Sequence, residues 1–173
     1  PVNGTGGAPT TTLTRTTTAP LSGIASLLLT KDAANRQGEG ASYDFSLDSA
    51  YSTNNPQNMV IEFFYDTGGT FVSGTSSDVT VYVYDVTNST LITPQAVSIG
   101  GSAGRFQTTF LPVDTSSSYR LIFHVATTSA AAWTLKVDKV SVHELPVTYA
   151  TGGVSTVVTL TTGNGFGSTN TNI

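Results

Sequence analysis

Val79-Thr80-Val81-Tyr82-Val83-Tyr84-Asp85 sets small aliphatic residues on every second position, with polar or aromatic residues between them. Successive side chains of an extended strand point to opposite faces, so such a run has one face suited to burial and one suited to display. The same alternation recurs downstream. Leu121, Phe123 and Val125 alternate with Arg120, Ile122 and His124, and Leu135 and Val137 alternate with Lys136 and Asp138. The apolar residues repeat with a period of two rather than the 3.6 of a helix.

Working outward, further candidate strands cover residues 11–18, 25–31, 41–47, 59–65, 91–97, 105–110 and 133–142. Turn-forming residues separate them at Asn54-Asn55-Pro56, Gly68-Gly69, Asn88-Ser89, Gly100-Gly101 and Ser116-Ser117-Ser118. Eight or nine short strands punctuated in this way predict an all-β, antiparallel two-sheet β-sandwich (jelly roll) with extended terminal arms. Near Asp138-Lys139 the apolar parity moves from Leu135 and Val137 to Val140 and Val142, which predicts a β-bulge.

Composition agrees with sheets. Charged residues make up 10% of the 173 residues, against an average of about 25%. Polarity comes instead from 19 Ser and 31 Thr, which strands use where they face water. The net charge of −4, with seven Lys and Arg scattered singly, provides no basic stripe, so nucleic acid is not an expected partner. No run of about 20 apolar residues is present, so no membrane-inserted helix is expected. The absence of Cys excludes a disulfide framework and thiolate metal sites.

The expected organisation is a Gly-rich N-terminal connector over residues 1–10, a jelly-roll domain over 11–146 and a C-terminal arm or linker over 147–173. A chain that begins at Pro1 and ends at Ile173 in flexible residues reads as excised from a longer protein. Within the arm, residues 154–161 follow Gly152-Gly153 and read as a further strand, suited to pairing with a neighbouring subunit or module.

One catalytic pattern occurs literally: Gly100-Gly101-Ser102-Ala103-Gly104 fits G-x-S-x-G. A nucleophile elbow needs a helix after the serine, whereas a strand is expected from Arg105, so the segment reads as a hairpin loop. His124 and His143 lie 19 positions apart without metal-hydrolase spacing. No enzyme activity is expected.

If strands 59–65, 78–85 and 119–125 share a sheet, one side carries Ile61, Phe63, Val81, Leu121 and Phe123 as core. The other side then displays Glu62, Phe64, Tyr82, Tyr84, Arg120 and His124. A pyranose has an apolar face that lies on an aromatic ring and hydroxyl edges that need polar partners, so this mixture suits sugars. The competing reading is ordinary cross-strand pairing on a solvated or subunit-covered sheet. Glu39 and Asp138 are hard oxygen ligands that suit a structural calcium, although no D-x-D-x-D-G loop is present and simple turn and solvation roles fit them better. No other cofactor is expected.

Four longer runs carry a resemblance: residues 29–40 (LTKDAANRQGEG), 81–92 (VYVYDVTNSTLI), 119–129 (YRLIFHVATTS) and 133–142 (WTLKVDKVSV). Together they resemble a jelly-roll domain recurrent in structural proteins of tailed phages, itself similar to carbohydrate-binding modules of the CBM4/9 type. The likeness covers roughly residues 1–145. It implies a virion-surface or tail-fibre location, extracellular once released, with assembly into a homo-oligomer, often a trimer, alongside other virion subunits. It also implies recognition of host-surface glycans. The ending usual in that family, Asp-Asn-Val-Ser-Val, reads Asp138-Lys139-Val140-Ser141-Val142 here, which removes an amide ligand but keeps Asp138. Two other roles stay open on these residues: an accessory carbohydrate-binding module of a secreted bacterial glycosidase, and a purely structural capsid-decorating module.

Overall fold

A computed structural model describes residues 10–48, 58–92 and 97–145. Residues 1–9 of the expected 1–10 connector, the turn at residues 54–56 and the expected C-terminal arm over residues 147–173, with its strand over 154–161, lie outside the described residues.

Among the described residues ten strands form in chain order: β1 (Thr12–Thr16), β2 (Ser26–Lys31), β3 (Gly40–Ser46), β4 (Met59–Gly69), β5 (Val79–Asp85), β6 (Thr90–Leu91), β7 (Val97–Ser98), β8 (Ala103–Phe110), β9 (Ser118–Val125) and β10 (Trp133–Glu144). Among the described residues the only helical element is the 3-10 turn Gly74–Ser76. The strands pair antiparallel in two sheets. One has the order β1-β2-β10-β4-β8, and the other has β3-β9-β5-β6, with β7 also on β5. The fold is the expected all-β sandwich.

Alternation decides which side of each strand is buried. In β5, Val79, Val81, Val83 and Asp85 are buried, while Thr80, Tyr82 and Tyr84 between them are half-buried on the outer side. Inward side chains from both sheets meet across the interior. Phe63 of β4 stacks on Phe106 of β8 at 4.5 Å and meets Phe123 of β9 edge-on at 5.2 Å. Phe45 of β3 stacks on Tyr119 of β9 at 5.7 Å and meets Phe110 of β8 edge-on at 6.3 Å. Each aromatic side chain buries enough area for such a cluster to dominate the core, with about 0.5–1.5 kcal/mol per ring pair beyond burial.

The β-bulge is present. The β10–β4 register passes from Asp138 opposite Phe64 to Ser141 opposite Glu62, so two residues of β10 face one of β4. Lys139 takes up the slack at φ 50°, a left-handed conformation that L side chains disfavour. Val142 returns to the inner side and packs on the core.

At the far end of the sandwich, Lys31 is 1% exposed opposite Trp133. Its ammonium donates to the carbonyls of Asp32 at 3.1 Å and Ala131 at 2.7 Å. A cation is tolerated there because backbone dipoles replace part of its hydration.

Candidate functional site

The outer face of the β3-β9-β5-β6 sheet is built from three cross-strand rows. Arg120 lies between Asp44 and Tyr84, Ile122 between Ser42 and Tyr82, and His124 between Gly40 and Thr80. All three rows take the outward parity, because the same strands turn Leu121, Phe123, Val81 and Val83 into the core.

Ile122 is the apolar floor of this face at 4% exposure, with Tyr82 directly across from it. The Tyr82 ring meets the His124 imidazole edge-on at 5.6 Å and 83°, a diagonal cross-strand contact. Burial holds the His124 pKa below its ordinary value, so the ring stays neutral and keeps both a donor and an acceptor nitrogen. At the other end, the Arg120 guanidinium clasps the Asp44 carboxylate with two parallel N–H donors, Nε on Oδ1 and Nη2 on Oδ2 at 2.8 Å. That hydrogen bonding lowers the Asp44 pKa and raises that of Arg120.

Gly40 leaves the face open beside His124. It sits at φ +147°, and a Cβ there would lie 1.9 Å from the Phe123 carbonyl oxygen, so no other residue fits without moving β9. The result is a shallow platform of two rings and a neutral imidazole, bounded by a fixed charge pair. Such a surface offers ring faces for stacking and fixed polar groups for hydroxyls.

The six residues expected on a single face divide between two. Tyr82, Tyr84, Arg120 and His124 are together on the platform, whereas Glu62 and Phe64 point outward from the opposite sheet. The premise that residues 59–65 share a sheet with β5 and β9 is therefore corrected: β4 is hydrogen-bonded between β10 and β8. Parity assigns Glu62 and Phe64 to an outer side, and pairing places that side across the core. There Glu62 accepts from Arg105 and lies 3.5 Å from His143 Nε2, and Arg105 holds its carboxyl below the usual range. Phe64 is 43% exposed, with the Lys139 ammonium 5.7 Å from its ring centre. Asp44, Ser42 and Ile122 complete the platform and were not singled out in the sequence. The pattern that exposes them is the alternation of β3, in which Ala41 and Phe45 pack inward around Ser42 and Asp44.

The two expected calcium ligands do not meet. Glu39 Oε2 accepts the backbone N–H groups of Thr10 at 3.0 Å and Thr11 at 2.6 Å, beside the Lys31 end of β2. Asp138 Oδ2 accepts Ser22 N–H and the Ser26 hydroxyl, each at 2.9 Å, at the other end of β2. Five residues at about 3.3 Å rise separate those ends by roughly 16 Å, so the pair does not fit one ion. Among the described residues no three His, Asp or Glu side chains group as a metal site.

Ser102 of the G-x-S-x-G stretch precedes strand β8 directly, and its carbonyl accepts from the Thr67 N–H at 2.7 Å and hydroxyl at 2.8 Å. The helix that an elbow requires is replaced by a strand.

No protein-family model matches this sequence, and no curated protein does. Solved structures with a similar fold are found. A family 4 carbohydrate-binding module, "CBM4 structure and function", aligns at TM-score 0.51 and 16% identity over 78% of this chain and 91% of its own. The CBM22-1–GH10 portion of Clostridium thermocellum xylanase 10B, complexed with xylohexaose, aligns at TM-score 0.53 and 14% identity over 83% of this chain and 26% of its own. The enzymatically active domain of bacteriophage CBA120 tailspike protein 4 aligns at TM-score 0.50 and 10% identity over 78% of this chain and 18% of its own. At these identities the similarity is one of fold: the jelly-roll sandwich of carbohydrate-binding modules.

Proposed function

We propose that this chain is a non-enzymatic, glycan-binding module displayed on a virion surface or tail fibre, where it takes part in host attachment alongside other virion subunits. The observation that carries the reading is the platform of Tyr82, Tyr84 and His124 over Ile122, bounded by the Arg120–Asp44 pair, on a sandwich shaped like carbohydrate-binding modules. The rings supply stacking faces, and the imidazole and the charge pair supply oriented partners for hydroxyl groups. A shallow surface gives weak affinity per site, and display in several linked copies, as in a trimer, raises avidity without any new contact. The tailspike likeness and the resemblance of the four sequence runs favour the phage setting.

The test is a glycan array probed with the intact chain and with Tyr82→Ala and Tyr84→Ala variants. Binding to a defined glycan class that drops tenfold or more in either variant supports the platform, by roughly 1.4 kcal/mol per tenfold. Binding unchanged in both removes it, and no binding to any glycan favours a purely structural module.

A second reading rests on the xylanase structure, in which the CBM22-1 module is joined to a GH10 module. On that reading the chain is an accessory module of a secreted glycosidase. A catalytic domain in the same reading frame decides for it, and flanking tail genes decide for the virion.

A further inference from the structure

The Arg120–Asp44 clasp places its two charges unequally on the platform. The Arg120 side chain is 14% exposed and the Asp44 side chain 57%. Arg120 belongs to β9, which is hydrogen-bonded to β3 on one side and β5 on the other, whereas β3 ends the sheet among the described residues. The guanidinium is therefore flanked from both sides and the carboxylate stands at the rim. A ligand lying on Tyr82 and Tyr84 meets the carboxylate more readily than the guanidinium.

The arginine fork is also filled. A guanidinium is the side chain best suited to a sugar carboxylate, because its planar pair of N–H groups matches the two oxygens of the anion. Here Nε and Nη2 donate to Asp44 Oδ1 and Oδ2, so an internal carboxylate holds the place that a ligand carboxylate would take. That bonding keeps the Asp44 carboxyl below its usual range, so the rim is charged at neutral pH. The three rows of the platform hold no second Lys or Arg, and burial keeps His124 neutral.

We infer that Asp44 is a specificity residue of the platform: by occupying the Arg120 fork and presenting its own charge at the rim, it admits uncharged sugars and turns away sugars that carry a carboxylate. The inference rests on the glycan-binding reading of this face. Each Asp44 oxygen keeps a lone pair beyond the one that accepts from Arg120, and these accept the hydroxyls of an uncharged sugar. A carboxylated sugar brought to the same rim loses twice. It finds two Arg120 donors taken, and its own charge faces that of Asp44, the kind of like-charge contact by which a site excludes a wrong partner.

The test scores the full chain and its variants on hexose oligosaccharides, each paired with a uronate counterpart in which one C6 hydroxymethyl group is a carboxylate. The native chain should bind the uncharged member about tenfold or more tightly than its uronate. Asp44→Ala, which frees two Arg120 donors, and Asp44→Asn, which keeps the shape and removes the charge, should each shift that ratio toward the uronate by about tenfold or more. A merely structural role would weaken both members alike and leave the ratio where it was, which is the result expected of Tyr82→Ala. A ratio unmoved in both Asp44 variants, or a native chain that binds uronates as tightly as uncharged sugars, overturns the inference, and a loss of binding in Tyr82→Ala then leaves the platform standing. Binding to neither member, or binding indifferent to Tyr82→Ala, overturns the platform and the inference with it.

Discussion

Replacing Asp85 with alanine tests how the end of β5, and with it the Tyr84–Arg120 row, is held. The Asp85 side chain is fully buried at 0% exposure. Its carboxylate accepts from the Ser116 hydroxyl, from the Asn88 backbone N–H at 3.0 Å and from Asn88 Nδ2 at 2.8 Å. Burial alone raises the pKa of such a group, but the Ser116 and Asn88 donors together outweigh it and hold Asp85 below the usual carboxylate range. Asp85→Ala strands these donors unequally. Ser116 is 1% exposed, so its hydroxyl loses a buried acceptor, at about 1–3 kcal/mol. Asn88 is exposed and turns to water, so its loss is nearer the net value of about 1 kcal/mol. The expected destabilisation is about 2–4 kcal/mol.

The assay is urea unfolding followed by the fluorescence of Trp133, the single tryptophan, which is 2% exposed. The midpoint should fall with the slope unchanged. Ser116→Ala combined with Asp85→Ala removes the stranded hydroxyl, so the double variant should lose at least about 1 kcal/mol less than the sum of the singles. Because the folded pKa is depressed, the carboxylate's contribution is fully present above the ordinary Asp value of about 3.9 and is lost as pH falls through the lower folded value. The gap between the native chain and Asp85→Ala should therefore narrow below about pH 4. A loss within about 0.5 kcal/mol, an additive cycle, or a gap constant from about pH 7 to pH 3 refutes the reasoning.

Three further outcomes follow from the same structure. Gly40→Ala drives a Cβ against the Phe123 carbonyl and should lower stability by about 2 kcal/mol or more, read as a melting temperature reduced by roughly 4–8 °C; an unchanged melting temperature would show that β3 can shift freely. At the bulge, where Lys139 has φ 50°, Lys139→Val should cost about 1 kcal/mol and Lys139→Gly nothing, and equal effects in urea titrations would deny the strain. His124 is held below its ordinary pKa by burial, so its contribution is present above about pH 6.5 and lost as pH falls; the drop in melting temperature between about pH 7.5 and pH 5 should shrink in His124→Gln, and an identical drop would contradict it.

Alternation in Val79–Asp85 and in Leu121, Phe123 and Val125 was enough to determine the all-β class, the inward set of the core strands and the outward set of the platform. That information is local, since adjacent side chains of a strand must diverge whatever lies beside it. The bulge was legible for the same reason, because the apolar parity of β10 slips by one residue between Val137 and Val140. What the sequence did not carry is which strands are neighbours. Glu62 and Phe64 have the same outward parity as Tyr82 and Tyr84, yet β4 pairs with β10 and β8, so the two sets lie on opposite sides of the sandwich. Glu39 and Asp138 were assigned by residue type and by their turn and bulge positions, and only the tertiary structure ties Glu39 to the Thr10 and Thr11 backbone and Asp138 to Ser22 and Ser26. Partner choice depends on contacts between residues far apart in the chain, settled by how the two layers fill a common interior, and no periodicity within a single strand encodes it.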